Sequence, residues 1–136
     1  MKVFLDTNVL VSAIATRGVC ADILHIVVAE HELLVGAAVR KELRRVLRDK
    51  LHLPANLIAE FDDFLRVQGT LLPTAALVPM QLRDATDIAI VSEALAGGTD
   101  ILVSGDRDLF DISLPPGGLR IVSPRGFWEI LTSQPG

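Results

Sequence analysis

Asp6, Glu42, Asp87 and Asp106 come from four separate stretches of the sequence, yet their surroundings place all four along one edge of a folded sheet. Asp6 closes the apolar segment Lys2-Val3-Phe4-Leu5, and Asp106 follows Ile101-Leu102-Val103 with only Ser104-Gly105 between. Glu42 falls in the first turns of a helix that follows a second apolar segment, and Asp87 in the first turn of a helix that begins near Asp84. In open parallel sheets ligands bind beyond the carboxyl ends of the strands, and the helices that follow those strands start at the same rim. Carboxylates that converge in this way suit hard divalent cations, because Mg²⁺ and Mn²⁺ prefer oxygen ligands. Two such ions about 4 Å apart can orient and deprotonate a water, aim it at a phosphodiester phosphorus and neutralise the leaving oxygen. His25, His31 and His52 are scattered and Cys20 stands alone, so no zinc-ligand pattern competes with this reading.

Taken singly, each acid also has a plain structural use. Asp6 is of the type that caps a helix after a strand. Asp84 and Asp87 sit where a helix dipole favours negative charge. Glu42 has Arg45 as a partner three residues on. Asp106, Asp108 and Asp111 would serve as a solvated loop. These uses account for one residue at a time; the set of four calls for a common site.

The elements that must position them are short. Lys2 to Leu5 reads as a strand that stops at Asp6-Thr7-Asn8, followed by a helix over 9–15. A second helix over 21–31 keeps Ile23, Leu24, Val27 and Val28 on one face, and 33–35 is a second strand. Helices over 39–49 and from Pro54 to Gly69 follow. Leu77 and Val78 give at most a weak strand. A helix over 84–96 stops at Gly97-Gly98, Ile101 to Val103 is a buried strand, and a strand over 119–122 precedes a closing helix over 126–131. The stretch Leu114-Pro115-Pro116-Gly117-Gly118 reads as a surface connection. Strands alternating with helices imply right-handed crossovers and a parallel sheet covered on both faces, in one domain over 1–136.

Charge is unevenly spread. The formal total is −4, but 40–50 carries +4 while 84–111 carries −6. With about 100° per residue and Glu42 as zero, Val46, Val39, Leu43 and Leu47 fall between about 40° and 140°, and Arg44, Arg48, Lys41 and Arg45 between about 200° and 300°. Glu42 lies at the seam, so Lys41 and Arg45 flank it where they can meet substrate phosphates. The plain alternative is a solvated basic face. Half of the 136 residues are hydrophobic and only 4% are aromatic, so aliphatic side chains must fill the core, and disordered or collagen-like classes are excluded. No apolar run approaches the roughly 18 residues of a membrane span. One cysteine and no secretory signal point to a reducing cytoplasm.

The sequence resembles the PIN-domain ribonucleases, and within them the VapC-like toxins of toxin-antitoxin pairs. The matching segments are Lys2-Val3-Phe4-Leu5-Asp6-Thr7-Asn8-Val9-Leu10, Val39-Arg40-Lys41-Glu42-Leu43, Leu82-Arg83-Asp84-Ala85-Thr86-Asp87 and Leu102-Val103-Ser104-Gly105-Asp106-Arg107-Asp108-Leu109. Ile121 to Phe127 resembles the family's last strand and helix, so the likeness runs the length of the chain. It implies a PIN-like α/β/α sandwich with a central, mainly parallel sheet. It also implies a Mg²⁺- or Mn²⁺-dependent endoribonuclease whose acidic quartet is Asp6, Glu42, Asp87 and Asp106. By the same likeness Asp6 and Asp87 bind metal directly, Asp106 directly or through water, and Glu42 completes the site or positions the attacking water. Asp84 and Asp108 are second candidates, and Thr7, Asn8 and Ser104 are supporting hydrogen-bond groups. One departure is that related sequences often carry Pro and another acid where this chain has Ala85-Thr86. Implied partners are an RNA substrate, a second copy of the chain and an antitoxin whose C-terminal segment occupies the active-site groove.

Two other classes fit less of the pattern. A receiver-like signalling domain also gathers Asp at strand ends, but wants a paired acid after the first strand and a late lysine; the lysines here are Lys2, Lys41 and Lys50. A sugar-phosphate phosphatase would show two Asp flanking one residue, which Asp6-Thr7-Asn8 does not. A PIN-like module that binds RNA or protein without cutting is the remaining alternative.

Overall fold

The computed structural model describes residues 1–113 and 118–133. Its elements are β1 (Lys2–Leu5), α1 (Thr7–Ala15), α2 (Val19–Glu30), β2 (Glu32–Gly36), α3 (Ala37–Asp49), α4 (Ala55–Gln68), β3 (Thr70–Leu72), α5 (Ala85–Ala96), β4 (Ile101–Val103), β5 (Arg120–Val122) and α6 (Pro124–Ser133). A 3-10 turn over Arg107–Leu109 follows β4. The five strands form one sheet in the order β3-β2-β1-β4-β5, parallel at every pairing.

Strand residues next to one another point to opposite faces, and Val3, Phe4 and Leu5 are all buried, as are Leu33, Leu34 and Val35 and Ile101, Leu102 and Val103. Both faces of the sheet are therefore covered, which makes the expected α/β/α sandwich. On the covering layers α2 packs against α1 and α6, and α3 against α1, α4 and α5. Aliphatic side chains supply nearly all of the core, with Phe4 and Phe127 the aromatic exceptions that are fully buried. Among the described residues, no single helix is long and apolar enough to cross a membrane.

Strand order reverses at β1. The chain moves outward through β2 and β3 on one side, then returns to place β4 and β5 on the other. The gap between β1 and β4 is thus the switch point, where a ligand has access to the strand ends.

Two expectations need correction. No strand forms at Leu77 and Val78; Leu77 is exposed and Val78 donates its N–H to Ser92 Oγ at 2.9 Å. The strand beside β2 is β3, three half-buried or exposed residues directly after the Gly69 that closes α4. A segment so short shows no alternation from which to read it. Helices α1, α2, α3 and α6 each start two residues earlier than periodicity suggested, a difference of the size that helix ends ordinarily show. The connection read at Leu114 to Gly118 lies outside the described residues except for Gly118.

One buried carboxylate organises the layer over β2. Glu93 of α5 is only 2% exposed, and its Oε1 and Oε2 accept the Ala38 N–H at 2.9 and 3.3 Å. Gly36, at the head of α3, has no side chain to cap that helix, so the cap arrives from across the layer. Burial pushes the Glu93 carboxyl above its ordinary value, and the bonds from the α3 amides act against that rise. The approach leaves no room at Gly36: a Cβ there would sit 2.7 Å from Glu93 Oε1 and 2.9 Å from the Phe4 ring.

Gly36→Ala is therefore expected to lower unfolding stability by about 1–3 kcal/mol through overpacking, as measured by urea denaturation. An unchanged midpoint would mean that the Glu93 cap yields without cost.

Candidate functional site

The β1 end is built around Asp6. Its backbone N–H bonds to Val103 O at 2.9 Å, which fixes it against β4, and its carbonyl accepts from Val9 and Leu10 as α1 begins. The side chain is 4% exposed. Oδ1 accepts the Thr7 N–H at 2.8 Å, while Oδ2 accepts the Ser104 hydroxyl at 2.6 Å and Asn8 Nδ2 at 3.5 Å. Asp6 is thus a helix cap, as its type allowed, and is also tied to the end of β4. Burial raises its carboxyl above the ordinary value, the Ser104 and Thr7 bonds oppose that rise, and Glu42 and Asp106 add to it.

Ser104 joins two of the acids. It is fully buried, its Oγ accepts the Asp106 N–H at 3.0 Å, and its hydroxyl proton is given to Asp6. Asn8 holds the same loop from the other side, its Oδ1 accepting the Gly105 N–H at 3.1 Å. Asp106 in turn heads the 3-10 turn, with Oδ1 accepting the Asp108 N–H at 3.0 Å. Asp84 caps α5 by accepting the Thr86 N–H at 2.7 Å. That leaves Asp87, one turn further along, turned toward the other acids.

Asp6, Glu42, Asp87 and Asp106 line one cavity of ≈ 610 Å³ together with Thr7, Asn8 and Arg45. The Asp87 carboxyl is pushed up from 3.8 to about 6, first by burial and then by the charges of Asp84, Asp106, Asp6 and Glu42. Each of the other three members of the quartet therefore contributes to the field at Asp87. Arg45 Nη2 stands 3.8 Å from Glu42 Oε2 at the rim, in a half-exposed pair that screening weakens. Lys41 lines an adjoining cleft, which shares Glu42 and Arg45 with the acid cavity. Asp84 and Asp108 are not among the residues lining the acid cavity; each takes part in a turn or cap instead.

The chemistry of the donor set matches a divalent cation in kind. All four groups offer hard oxygens, they share one cavity and they repel one another. Thr7 Oγ1, which belongs to a residue of the cavity lining, is buried and has no hydrogen-bond partner among the described residues. The oxygens therefore fit a cation in kind. Among the described residues, however, no three Asp, Glu, His or Cys side chains are gathered closely enough to chelate an ion as they stand. This spacing suits a cation that keeps part of its water shell better than one stripped of it.

One residue that matters to this layout escaped sequence reasoning. In the sequence Glu93 counts only within the charge of 84–111, although an acid inside the apolar run Ile88 to Ala96 is a usable signal of a buried cap.

A doubly wound α/β domain with an acidic cavity at its switch point is the class that this fold and site define. The sequence matches the PIN domain family over residues 2–108, and the chain belongs to that family. Its fold is similar to one in the crystal structure of VapBC2 from Rickettsia felis bound to a DNA fragment from their promoter. The TM-score is 0.63 at 18% identity, covering 89% of this chain and 98% of that one. No curated protein sequence matches it.

The raised Asp87 carboxyl fixes the sign of a pH effect. An acid that titrates at 3.8 when unfolded and about 6 when folded lends stability fully below about pH 4, and that contribution is lost as pH rises through about 6. In EDTA, Asp87→Asn should therefore gain melting temperature over the wild type as pH is raised from 4 to 7. Added Mn²⁺ at pH 7 should raise the wild-type melting point more than that of the variant. Equal Mn²⁺ shifts, read by differential scanning fluorimetry, would remove Asp87 from the ligand set.

Proposed function

We propose that this chain is a divalent-metal-dependent endoribonuclease, working as the toxin of a toxin-antitoxin pair. One observation carries the reading: four carboxylates from four segments line a single cavity, and their repulsion helps hold Asp87 at about 6. Membership of the PIN family and the fold shared with the VapBC2 structure support it.

In this reading Asp6 and Asp87 hold Mg²⁺ or Mn²⁺ directly, and Asp106 holds it directly or through water. A cation there supplies Lewis acidity toward water and phosphate oxygens. Glu42 orients the attacking water and takes its proton. Ser104, Asn8 and Thr7 fix the Asp6 carboxylate and the β4 loop, so that the ligands meet the substrate already oriented. Lys41 and Arg45 bind the phosphates beside the scissile bond. Water adds to phosphorus, the bond to the 3′ oxygen breaks, that oxygen takes a proton from solvent, and the products carry a 5′-phosphate and a 3′-hydroxyl. The proposal extends to a single domain over 1–136, a homodimer in the cytoplasm, and an antitoxin whose C-terminal segment fills the acid cavity. A module that binds RNA without cutting is the second reading, favoured by the absence of a ready-made chelate among the described residues.

Purified protein should cut single-stranded RNA with Mg²⁺ or Mn²⁺ and stop with EDTA, and Asp6→Asn should slow cleavage by at least about 10²-fold. Full activity in Asp6→Asn would remove the mechanism, and RNA binding without cutting by the wild type would select the second reading. Arg45→Ala should reduce the slope of log affinity against log salt by about 0.7, the share of one phosphate contact on a single strand. An unchanged slope would return Arg45 to a solvated face.

A further inference from the structure

The helices α3 and α5 pack against each other. At one end Glu93 caps Ala38 and closes the seam; toward the other the seam opens into a cleft of ≈ 480 Å³. Its two walls differ in kind. The α3 wall carries Lys41, Arg44, Arg45 and Arg48, whereas α5 presents only Ala85, Thr86 and Ala89. Short side chains on the α5 wall keep the cleft open, and among the described residues the one acid lining it is Glu42, on the same wall as the cations.

Arg44 and Arg45 are only loosely engaged, while Arg48 makes a two-bonded pair with Asp49 at the surface. Arg45 stands 3.8 Å from Glu42 and Arg44 3.9 Å from Asp62, with both arginine side chains more than half exposed. Arg48 is paired with its own neighbour Asp49 at 2.7 Å, also in solvent. Exposed pairs of this kind are screened by solvent and salt and yield readily to a polyanion. Lys41, Arg45 and Arg48 step along α3 by about 6 and 4.5 Å, a spacing that lets a strand place consecutive phosphates on them. The cleft shares Glu42 and Arg45 with the acid cavity, so a strand lying in it is continuous with the reaction centre. Packed helices stand about 8–10 Å apart, and a gap opened between two of them has room for one strand and not for a duplex.

We propose that the α3–α5 cleft is the path by which single-stranded RNA leads into the acid cavity, with phosphates on Lys41, Arg45 and Arg48 and sugar or base edges against Ala85 and Ala89. The identity of the polyanion as RNA rests on the function proposed above. What is added is a one-sided path: the strand is gripped along α3 on one side of the scissile phosphate, and the small residues of α5 decide whether it enters.

Charge and space are separated by two substitutions at one position. Ala89→Glu adds an acid opposite the cations and Ala89→Lys adds a base, but both fill the cleft. With a short fluorescein-labelled single-stranded RNA in EDTA, anisotropy should show both variants binding at least about tenfold more weakly than wild type. Arg48→Ala should lower the salt slope by about 0.7. Ala89→Lys binding as tightly as wild type, or tighter, would overturn the proposal, since the cations would then act from outside the cleft. Ala85→Lys, at an exposed position, applies the same test if the Ala89 variants do not fold. Binding is read without metal, so a wild type that binds RNA but never cuts it would refute the nuclease reading while leaving the cleft in place.

Discussion

The bond from the Ala38 amide to the Glu93 carboxylate is the contact on which the arrangement of the site most depends. α3 carries Glu42 and the basic residues, α5 carries Asp87 and the small-residue wall, and this cap fixes one helix against the other. It is possible only because Gly36 has no Cβ to occupy the space that Glu93 fills. A carboxylate buried this deeply is costly unless amides satisfy it. The α3 N-terminus supplies those amides and a favourable dipole as well. The fold thus accepts one desolvated acid outside the cavity in order to hold the wall that faces it.

Inside the cavity the balance is different. Asp6 has its oxygens satisfied by Thr7, Ser104 and Asn8, whereas Asp87 is set among like charges and stays partly protonated near neutral pH. Burial raises both carboxyls; at Asp6 the bonds from Ser104 and Thr7 oppose that rise, whereas at Asp87 the neighbouring charges add to it. A cation would draw Asp87 back toward ionisation. The net charge of −4 therefore says little about partners, because it averages this cavity with a helix of opposite sign beside it.

Much of this was legible in the sequence for a physical reason. Apolar runs ending in Asp6 and in Ser104-Gly105-Asp106 mark the carboxyl ends of two central strands, and burial on both faces makes such strands visible as unbroken apolar segments. Glu42 was placed correctly at the seam of α3 because a helix with an apolar and a basic face has only one register. What could not be read was whatever depends on distant partners. β3 is too short to carry a pattern, and it pairs with β2 from 36 residues away, as in Leu34 with Thr70. The cap role of Glu93 lies in the meeting of two helices, and the spacing of Asp84 and Asp87 does not tell which of them accepts the Thr86 N–H.

The hydrogen bond from Ser104 to Asp6 closes a separation of 98 residues. Contacts so distant in sequence form late, since the loop entropy they must overcome is met only after nearer pairings are in place. A chain emerging from a ribosome holds Asp6 and Glu42 early, yet it has no β4 beside β1 until Val103 has been made. The cavity is in this sense an end product of synthesis. Any chemistry that needs the whole cavity would be absent from a nascent chain until β4 has paired with β1.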